Sequence, residues 1–520
     1  MGEKHDDLSN EMGTLSVMEN ICLENHGFDA ELRTKLYKMK NEYETVFSWD
    51  IEILTEKSKN KNLISNFIVR IRERCESTID NDDGVFNLNR FFYHLVITYE
   101  LYMSDNYEES LLEIQSVIKS LETCTFDQPE KPYIYACHHI SRATCAYIAL
   151  TLDRDYEQMT MDIKSVNSLN QVEKAAIYAI KARIFMMYAP KGNNIALKFA
   201  DQSRHHQSTE TEWIIVWLKA KGRLRRCYNK TQMPGEDEIE AAGMLSLAQS
   251  KPWVLVQASK VYMEIAFIHS TNNNQEEYKI YNTISSNLIV KAIEVAKDDI
   301  RQLCLCLKTY IDYPKQFQSK IVVDTLIEKL TGKEYNQVYP ILGKYYLKYK
   351  KDYEKAKIYF SRGMASGHFS SALQLVRVEC LLEPVNKYPL IGILIMIYKV
   401  FQHPLRRLLI LSQILIYCYY YEKNPKVMMR YLNLYMDQDI DDAFKKHCLT
   451  FAIPLFKLNG LFIKNQFLYY LSIKVKNITM LYEWSLEEKE IVYGVYYRFN
   501  KMSKQKIKME NEQYSQSPYE

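Results

Sequence analysis

The densest positive charge in the chain lies in residues 198–230, where eight lysines and arginines stand against three carboxylates. Arginine is suited to phosphate because its planar guanidinium donates two parallel hydrogen bonds to one anion. The net charge of the whole chain is only +3, so no global field favours nucleic acid. Any binding of nucleic acid must therefore depend on a local cluster such as this one.

Lys219, Arg223 and Arg226 follow one another at helical spacing within this stretch. If the helix continues through Gly222, they lie roughly opposite a face that carries Trp213 and Trp217. They would then form a basic surface suited to phosphate contact. If Gly222 instead ends the helix, the same residues would complement the negative C-terminal end of its dipole. Charge pattern alone leaves both interpretations open.

No other residue pattern indicates catalysis or a bound metal. The pairs His138-His139 and His205-His206 lack a second Cys or His at metal-ligand spacing. The sequence has no glycine-rich phosphate loop, no Gly-x-Ser-x-Gly and no His-Glu-x-x-His. We therefore predict a protein that is not an enzyme and that holds neither a metal nor a cofactor.

A recurring Asp-Tyr-Glu phrase indicates the elements that position these residues. Its tyrosines are Tyr107 (with one inserted Asn), Tyr156 and Tyr353, and each opens a short helical pattern. In the third copy the small Ala356 and the large Phe360 follow at helical spacing. This is the second-helix half of a tetratricopeptide repeat, where a small residue lets two helices approach and a large one fills the gap.

The first helix of the repeat is clearest just before the third copy. Tyr339, Leu342, Gly343 and Tyr346 match its aromatic, Leu, Gly and Tyr positions, with one extra residue in the following turn. The residues predicted to pack the repeats are Tyr107, Tyr156, Tyr339, Leu342, Gly343, Tyr346, Tyr353, Ala356 and Phe360. The copies are irregularly spaced, so the repeats are degenerate.

Composition supports the same fold class. The chain has 15 Gly and 13 Pro, against about 36 and 26 at average usage. Few helix breakers and little strand-type alternation favour long helices joined by short turns. We predict an all-α fold, a right-handed superhelix of degenerate tetratricopeptide helix-turn-helix repeats.

The polar pattern predicts how the chain is divided. Residues 1–38 are expected to be a polar, partly disordered segment, with a weak helix near Asp29–Lys38. Residues 39–500 are expected to form the superhelix, as sub-bundles 39–230 and 231–500. The basic and then polar residues 501–520 are expected to be a disordered tail.

The most apolar stretch, residues 390–421, is interrupted by Lys399, His403-Pro404 and Arg406-Arg407. Neither piece reaches the roughly 18–20 residues that span a bilayer, so we predict two buried helices and no membrane association. Eleven scattered Cys without a Cys-x-x-Cys pair indicate reduced thiols. With no signal peptide visible, these features predict a cytosolic protein.

Val46-Phe47-Ser48-Trp49-Asp50, followed by Asn106-Tyr107-Glu108-Glu109-Ser110-Leu111, resembles the interferon-induced proteins with tetratricopeptide repeats. The order of motifs continues similarly through residues 155–166, 191–203 and the Trp213–Gly222 helix. The resemblance spans about residues 40–380. It implies a cytosolic helical superhelix, and several members of that family bind the 5′ end of foreign RNA in a positively charged channel.

The resemblance also implies which residues would line such a channel. Lys219 holds a basic position of the family shortly before the Gly of its helix. Three other channel positions fall on Met187, Asn193 and near Phe67, and so lose their chemistry. Arg183, one turn before Met187, is a possible substitute.

From these residues we predict RNA binding in innate antiviral defence, through Lys219, Arg223, Arg226 and Arg183. The alternative is a scaffold that binds a peptide or a partner helix in the tetratricopeptide groove without binding RNA. Neither interpretation predicts which 5′ end or which protein partner is bound, or whether the chain self-associates.

Overall fold

The computed structural model describes residues 29–51, 61–77, 85–126, 129–248, 250–333, 335–383, 390–458 and 460–504. Within these ranges the regular structure is helical, and extended backbone pairs at one isolated bridge, between Val85 and Thr125. The predicted all-α fold is confirmed. The right-handed winding of the superhelix stays a prediction.

The helices are short to medium in length and follow one another closely. The first nine are α1 (Ala30–Glu42), α2 (Lys61–Ser77), α3 (Leu88–Met103), α4 (Tyr107–Thr123), α5 (Ile134–Thr151), α6 (Glu157–Thr160), α7 (Gln171–Phe185), α8 (Gly192–His206) and α9 (Thr211–Tyr228). The next seven are α10 (Glu236–Ser246), α11 (Pro252–Thr271), α12 (Gln275–Ala296), α13 (Ile300–Tyr310), α14 (Lys320–Leu330), α15 (Val338–Lys344) and α16 (Tyr353–Ala365). The remainder are α17 (Phe369–Leu382), α18 (Leu390–Val400), α19 (Pro404–Tyr420), α20 (Pro425–Met436), α21 (Asp442–Thr450), α22 (Phe467–Leu481) and α23 (Leu486–Lys504).

The chain forms two compact units. Unit 1 contains the described parts of residues 1–64 and 84–224, and unit 2 contains those of 65–83 and 225–520. The division falls inside α9, between Leu224 and Arg225, and the predicted sub-bundles meet six residues later, at 230/231. Unit 2 also includes most of α2, which the contiguous sub-bundles do not foresee.

Helices in each unit pack against their next neighbour and against the next but one. In unit 1, α3 packs on α4 and α7 on α8, while α3, α5 and α7 contact one another in a row. In unit 2, α11 packs on α12 and α16 on α17, while α11, α13, α15 and α17 form the corresponding row. We call these the α3–α5–α7 row and the α11–α17 row. This pattern is the helix-turn-helix repeat that the sequence predicts.

The Asp-Tyr-Glu phrases lie at turns between paired helices. Asp105 opens the first copy, and Asp153 and Lys351 precede the second and third. All three adopt a left-handed backbone, with φ of 64°, 53° and 56°. A single left-handed residue reverses the chain after a helix, as in helix C-terminal motifs. The turns are thus tight, and the next helix can pack back on the previous one.

The third copy has the predicted packing. Asp352 caps α16 by accepting a hydrogen bond from the Lys355 N–H at 3.0 Å. Gly343 of α15 lies against the Phe360 ring, since a Cβ at this glycine would lie 2.5 Å from a ring carbon. The one extra residue of this copy is absorbed by a π-helical segment, Tyr345–Lys350, directly after α15.

The second copy departs from the prediction that residues 155–166 carry a repeat helix. Here α6 contains only four residues, and a separate 3₁₀ turn follows at Val166–Ser168. Met161 is 76% exposed, and Tyr156 and Ile163 are only half-buried. Because helices in proteins are stabilised mainly by burying an apolar face, this segment lacks what would extend it.

Residues 44–50 cross the α3–α5–α7 row. Phe47 packs between Tyr102 of α3 and Tyr147 of α5, with ring centroids 4.4 and 4.6 Å away. The carboxylate of Glu44 accepts a hydrogen bond from Trp49 at 2.7 Å and pairs with Lys181 of α7 at 2.6 Å. The Val46–Asp50 phrase is therefore part of the core of unit 1.

Arg406 of α19 holds α2 within unit 2. Its guanidinium is buried, pairs with Glu73 at 3.2 Å and lies 3.7 Å from Glu76. It also lies over the rings of Phe369 and Phe401, with centroids at 5.5 and 5.4 Å. A buried arginine is tolerated because carboxylates compensate its charge.

The apolar stretch 390–421 forms α18 and α19, separate helices as predicted. Their apolar side chains contribute to the largest core of unit 2. No helix in the described residues is long and apolar enough to cross a membrane. At the C-terminal end α23 continues to Lys504, beyond the predicted start of the tail, because Phe499 and Met502 are buried. The predictions for residues 1–28 and 505–520 lie outside the described residues.

The weak helix predicted near Asp29–Lys38 is present as α1. Asp29 caps it by accepting a hydrogen bond from the Leu32 N–H at 2.7 Å. The helix continues to Glu42, past the predicted boundary at residue 38, and buries Leu36 and Met39. This helix therefore has a small apolar face, although the sequence around it is mainly polar.

Candidate nucleic-acid interface

Helix α9 runs without a break from Thr211 to Tyr228, so Gly222 is an interior residue of the helix. The interpretation in which Gly222 ends the helix is wrong. Trp213 and Trp217 are buried, and Arg223 and Arg226 are exposed. The tryptophan face is thus anchored in the protein, as the spacing predicts, and the arginines are directed away from it.

In unit 1 the structure brings Arg223 to the end of the helix that carries Arg183. Arg223 donates a hydrogen bond to the Met186 carbonyl at 2.7 Å, just beyond the last residue of α7. Arg183, one turn earlier, donates to Asn89 of α3 at 2.8 Å, and its guanidinium lies 5.3 Å from the Phe92 ring centroid. Both acceptors are neutral oxygens, so these two bonds orient the arginines without cancelling their charge.

Lys219 is half-buried and lies one turn before Arg223 on α9. Three of the four predicted phosphate ligands therefore belong to unit 1, on helices α7 and α9. They can offer positive charge to an anion from two neighbouring elements. The structure brings no substitute side chain to the channel positions that fall on Met187 and Asn193. Met187 is half-buried and Asn193 is buried.

Arg226 belongs to unit 2 and is held in an ion-pair network. It contacts Glu264 at 2.7 Å, and Glu264 also lies 3.0 Å from Arg225. Arg225 is itself buried and pairs with Glu238 at 3.1 Å. A phosphate at Arg226 would have to compete with Glu264. Arg226 is therefore the least available of the four predicted residues.

Other cations of the 198–230 stretch are used in packing. Arg204 of α8 and Lys221 of α9 both lie over the Trp217 ring, 4.2 and 4.8 Å from its centroid. The indole N–H of Trp217 donates to Asp201 at 2.6 Å. Cation–π contacts of this kind stabilise by about 0.5–2 kcal/mol. The high charge density in the sequence thus partly reflects the α8–α9 contact.

Unit 2 contains two lysines that the sequence did not single out. Lys260 of α11 is half-buried and Lys308 of α13 is exposed, on helices that contact each other in the α11–α17 row. Burial and, after it, the positive charge of Lys308 lower the pKa of the Lys260 ammonium. The positive charge of one lysine thus disfavours the charged form of the other.

The carboxylates that could neutralise this pair are held elsewhere. Glu264, one turn after Lys260, is held by Arg226, and Asp312, one turn after Lys308, pairs with Lys344 at 2.6 Å. Among the described residues no carboxylate lies within ion-pair distance of Lys260 or Lys308. Two uncompensated cations on adjacent helices are a place where an anion would lower the energy. In the sequence each is a single lysine in a mainly apolar helix, which is the signal that could have indicated them.

The histidines serve structural roles. His139 is buried, its Nε2 accepts a hydrogen bond from the Glu44 N–H at 3.2 Å, and burial lowers its pKa to about 4. His206 stacks on Tyr178 with ring centroids 5.3 Å apart. In the part of the chain that the structure describes, no three His, Cys, Asp or Glu side chains are grouped so as to hold a metal ion.

Comparison with known proteins gives distant likenesses. No protein-family model matches the chain, and no curated protein matches it. Among solved structures it is similar to the human IFIT1 dimer with m7Gppp-AAAA, at a TM-score of 0.36 and 10% identity, over 90% of this chain and 100% of that chain. It is also similar to the human IFIT1 dimer with PPP-AAAA, at a TM-score of 0.31 and 9% identity over the same shares. Likenesses this distant do not establish membership of a family.

Proposed function

We propose that this chain is a non-enzymatic RNA-binding protein that contacts phosphates through lysines and arginines of its repeat helices. The observation that carries the proposal is the pair Lys260 and Lys308, on adjacent helices and without a carboxylate partner in the described residues. Arg183 and Arg223 in unit 1 add two cations, of which Arg183 donates to the Asn89 side-chain oxygen and Arg223 to the Met186 carbonyl. Phosphate is the anion that RNA presents in abundance.

The same proposal includes a cytosolic location and a role in innate antiviral defence, through recognition of the 5′ end of foreign RNA. These finer points follow from the resemblance of the Val46–Asp50 and Asn106–Leu111 phrases to the interferon-induced family. The ten cysteines of the described residues are thiols rather than disulfides, which agrees with a reducing compartment.

The alternative of a peptide-binding scaffold has less support. In unit 1 the α3–α5–α7 row is crossed by residues 44–50, whose Phe47 contacts Tyr102 and Tyr147. An aromatic-lined surface of the kind that would receive a peptide is thus occupied by the chain itself. The RNA proposal does not need this surface.

The test measures binding of single-stranded RNA with a 5′-triphosphate, a cap or a 5′-hydroxyl, each at two salt concentrations. We expect Lys260→Glu/Lys308→Glu to weaken binding and to flatten its salt dependence. Each phosphate contact contributes about 0.7 to the slope of log K against log salt for single strands, so losing two should reduce the slope by about 1.4. Lys219→Glu/Arg223→Glu tests the unit 1 residues in the same way.

A matched control is Lys279→Glu/Lys320→Glu, because both lysines are exposed and lie on α12 and α14, outside the α11–α17 row. It makes the same change in net charge. If the control weakens binding as much as Lys260→Glu/Lys308→Glu, or if no RNA binds at low salt, the proposal is wrong. A preference among the three RNA ends would identify the 5′ group.

A further inference from the structure

Unit 2 has a cavity of about 410 Å³ where α19 ends and α20 begins, with α22 along one side. Its wall includes three consecutive tyrosines, Tyr419, Tyr420 and Tyr421, and its charged residues are Glu422, Lys423 and Lys474. Ligand pockets in proteins typically measure about 300–1,000 Å³ and combine apolar or aromatic walls with a few polar groups. This cavity has that size and that composition.

The tyrosine rings are held in place by their own hydroxyl groups. Tyr420 donates to the Leu461 carbonyl at 3.0 Å, and Tyr421 donates to the Lys457 carbonyl at 2.8 Å. These acceptors belong to the segment between α21 and α22. With two hydroxyls committed, what these two tyrosines offer to a ligand is mainly aromatic surface. Flat aromatic surface favours flat aromatic ligands.

Lys474 of α22 supplies a positioned positive charge. Its ammonium donates to the Cys418 and Tyr419 carbonyls, at 3.4 and 2.5 Å, and lies 4.7 Å from the Tyr419 ring centroid. An ammonium has three donors, so one remains for a ligand. Burial lowers the pKa of this lysine, which means that its charge is incompletely solvated and would be stabilised by an anion.

The other charges at the cavity agree with an anionic ligand. Lys423 is exposed and has no partner among the described residues. The carboxylate of Glu422 accepts a hydrogen bond from the Asn424 N–H at 2.8 Å, so part of its acceptor capacity is used. Asn424 and Pro425 begin α20, whose positive dipole end lies at the cavity. The negative end of α19 is covered by Lys474.

We propose that this cavity binds one nucleotide unit, with the base against the tyrosine rings and the phosphate at Lys474 and Lys423. A bare anion would leave the aromatic wall unused, and a cation would be repelled by Lys474. The inference does not depend on RNA binding at Lys260 and Lys308, which lie on α11 and α13, outside the residues that line this cavity. A free nucleotide and a nucleotide within an RNA strand present the same base and phosphate to this cavity.

The experiment is isothermal titration calorimetry of the full chain with AMP, adenosine and inorganic phosphate. We expect AMP to bind more tightly than either fragment. Lys474→Met should weaken AMP binding about tenfold and leave adenosine binding nearly unchanged, because it removes the charge and keeps the aromatic wall. Tyr419→Leu should weaken both AMP and adenosine.

A second lysine keeps the test valid if Lys474→Met disturbs the end of α19. Lys423→Met changes an exposed residue of the cavity, and Lys426→Met is its control, three residues along, outside the cavity wall and paired with Glu488 at 2.6 Å. Lys423→Met should weaken AMP binding several-fold and Lys426→Met should not. AMP that binds no better than phosphate, or that is insensitive to both cavity lysines, overturns the proposal.

A competition measurement distinguishes the two sources of the nucleotide. If a 5′-hydroxyl oligoadenylate displaces AMP, the cavity receives a nucleotide of an RNA strand. If AMP binds and the oligonucleotide does not displace it, the cavity receives free nucleotides. AMP binding that survives Lys260→Glu/Lys308→Glu shows that the two sites are separate, so each proposal can fail without the other.

Discussion

The same three-letter phrase has different outcomes in its second and third copies. Asp352-Tyr353-Glu354 opens α16, which runs for 13 residues, whereas Asp155-Tyr156-Glu157 opens α6, which ends after four. Both follow a left-handed residue, Lys351 in one case and Asp153 in the other. The turn is therefore common to the two copies, and the length of the helix is not.

The difference lies in what the helix can bury. In the third copy Phe360 is 2% exposed and fits against a glycine of the preceding helix, while in the second copy Ile163 is half-buried and Met161 is exposed. Local sequence thus sets the turn, and the match between two helices decides whether a full repeat forms. Substitutions in the two copies test this explanation.

Truncating the large apolar residue of each copy should give the largest difference in stability between the second and third copies. Phe360→Ala should lower the free energy of unfolding by about 3–5 kcal/mol, because it empties a buried site that α15 and α16 enclose. Ile163→Ala should cost about 1 kcal/mol or less, because its side chain is already partly in water. Urea unfolding followed by circular dichroism measures both. Equal losses would contradict the comparison.

The helix before the first copy contains a buried carboxyl group. Glu100, in the last turns of α3, accepts a hydrogen bond from Tyr188 at 2.7 Å, and burial raises its pKa from 4.5 to about 7. The folded protein thus holds a proton that the unfolded chain releases near pH 4.5. Stability from this group is present at low pH and is lost as the pH rises from about 4.5 to about 7.

Glu100→Gln should therefore stabilise the protein at pH 8, by up to about 3 kcal/mol on the scale of 1.36 kcal/mol for each unit of pKa. The advantage should shrink as the pH falls towards 5, because the native carboxyl is then protonated in the folded state. Urea unfolding of both proteins at pH 5, 6.5 and 8 measures the difference. An advantage that does not change with pH would show that the charge of Glu100 is not its cause.

Adding one methyl group at the close approach should weaken the third copy. Gly343→Ala gains about 1 kcal/mol of helix propensity but places a Cβ 2.5 Å from the Phe360 ring, a clash that costs about 1–3 kcal/mol. The net loss should be up to about 2 kcal/mol. The control is Gly392→Ala in α18, where a Cβ meets nothing within 4 Å and should stabilise. Thermal unfolding of the two variants should shift in opposite directions.

Removing the aspartate at the start of each helix should give the smallest difference in stability between the two copies. Asp352→Ala removes the hydrogen bond to Lys355 N–H and should cost about 1 kcal/mol. Asp155→Ala removes a hydrogen bond from the Glu157 N–H of a four-residue helix and should cost only a few tenths of a kcal/mol. Chemical unfolding measures the pair. A larger loss for Asp155 would mean that the second copy stabilises its surroundings more than its burial suggests.

Much of the fold follows from local pattern. The low Gly and Pro content and the position of Gly343, Ala356 and Phe360 predict the helix pair α15–α16, and the structure has it. The length of α6 does not follow, because it depends on a partner surface that sequence spacing does not contain. The place of α2 in unit 2 does not follow either, since the contact between Glu73 and Arg406 spans 333 residues.

The candidate site was predictable in part. Periodicity placed Trp213 and Trp217 on one face of α9 and the arginines roughly opposite, and the structure buries the tryptophan face. It could not show that Glu264 would pair with Arg226, because the two are 38 residues apart and meet only through packing. For the same reason Lys260 and Lys308 were missed. A single lysine in an apolar helix marks each of them in the sequence, but it does not show that the carboxylates one turn away are paired with other residues.

The pairing of Arg406 with Glu73 and Glu76 decides how the protein can be dissected. A fragment that begins at residue 225 would contain Arg406 and the Phe369 and Phe401 rings but neither carboxylate. Its guanidinium would lose both counter-charges, and breaking a buried ion pair by removing one side typically costs about 3–5 kcal/mol. Expression of residues 225–520 alone should therefore yield an unstable product, and adding the α2 peptide in trans should restore it. A cut between residues 224 and 225 therefore does not separate the two units, because most of α2 belongs to unit 2.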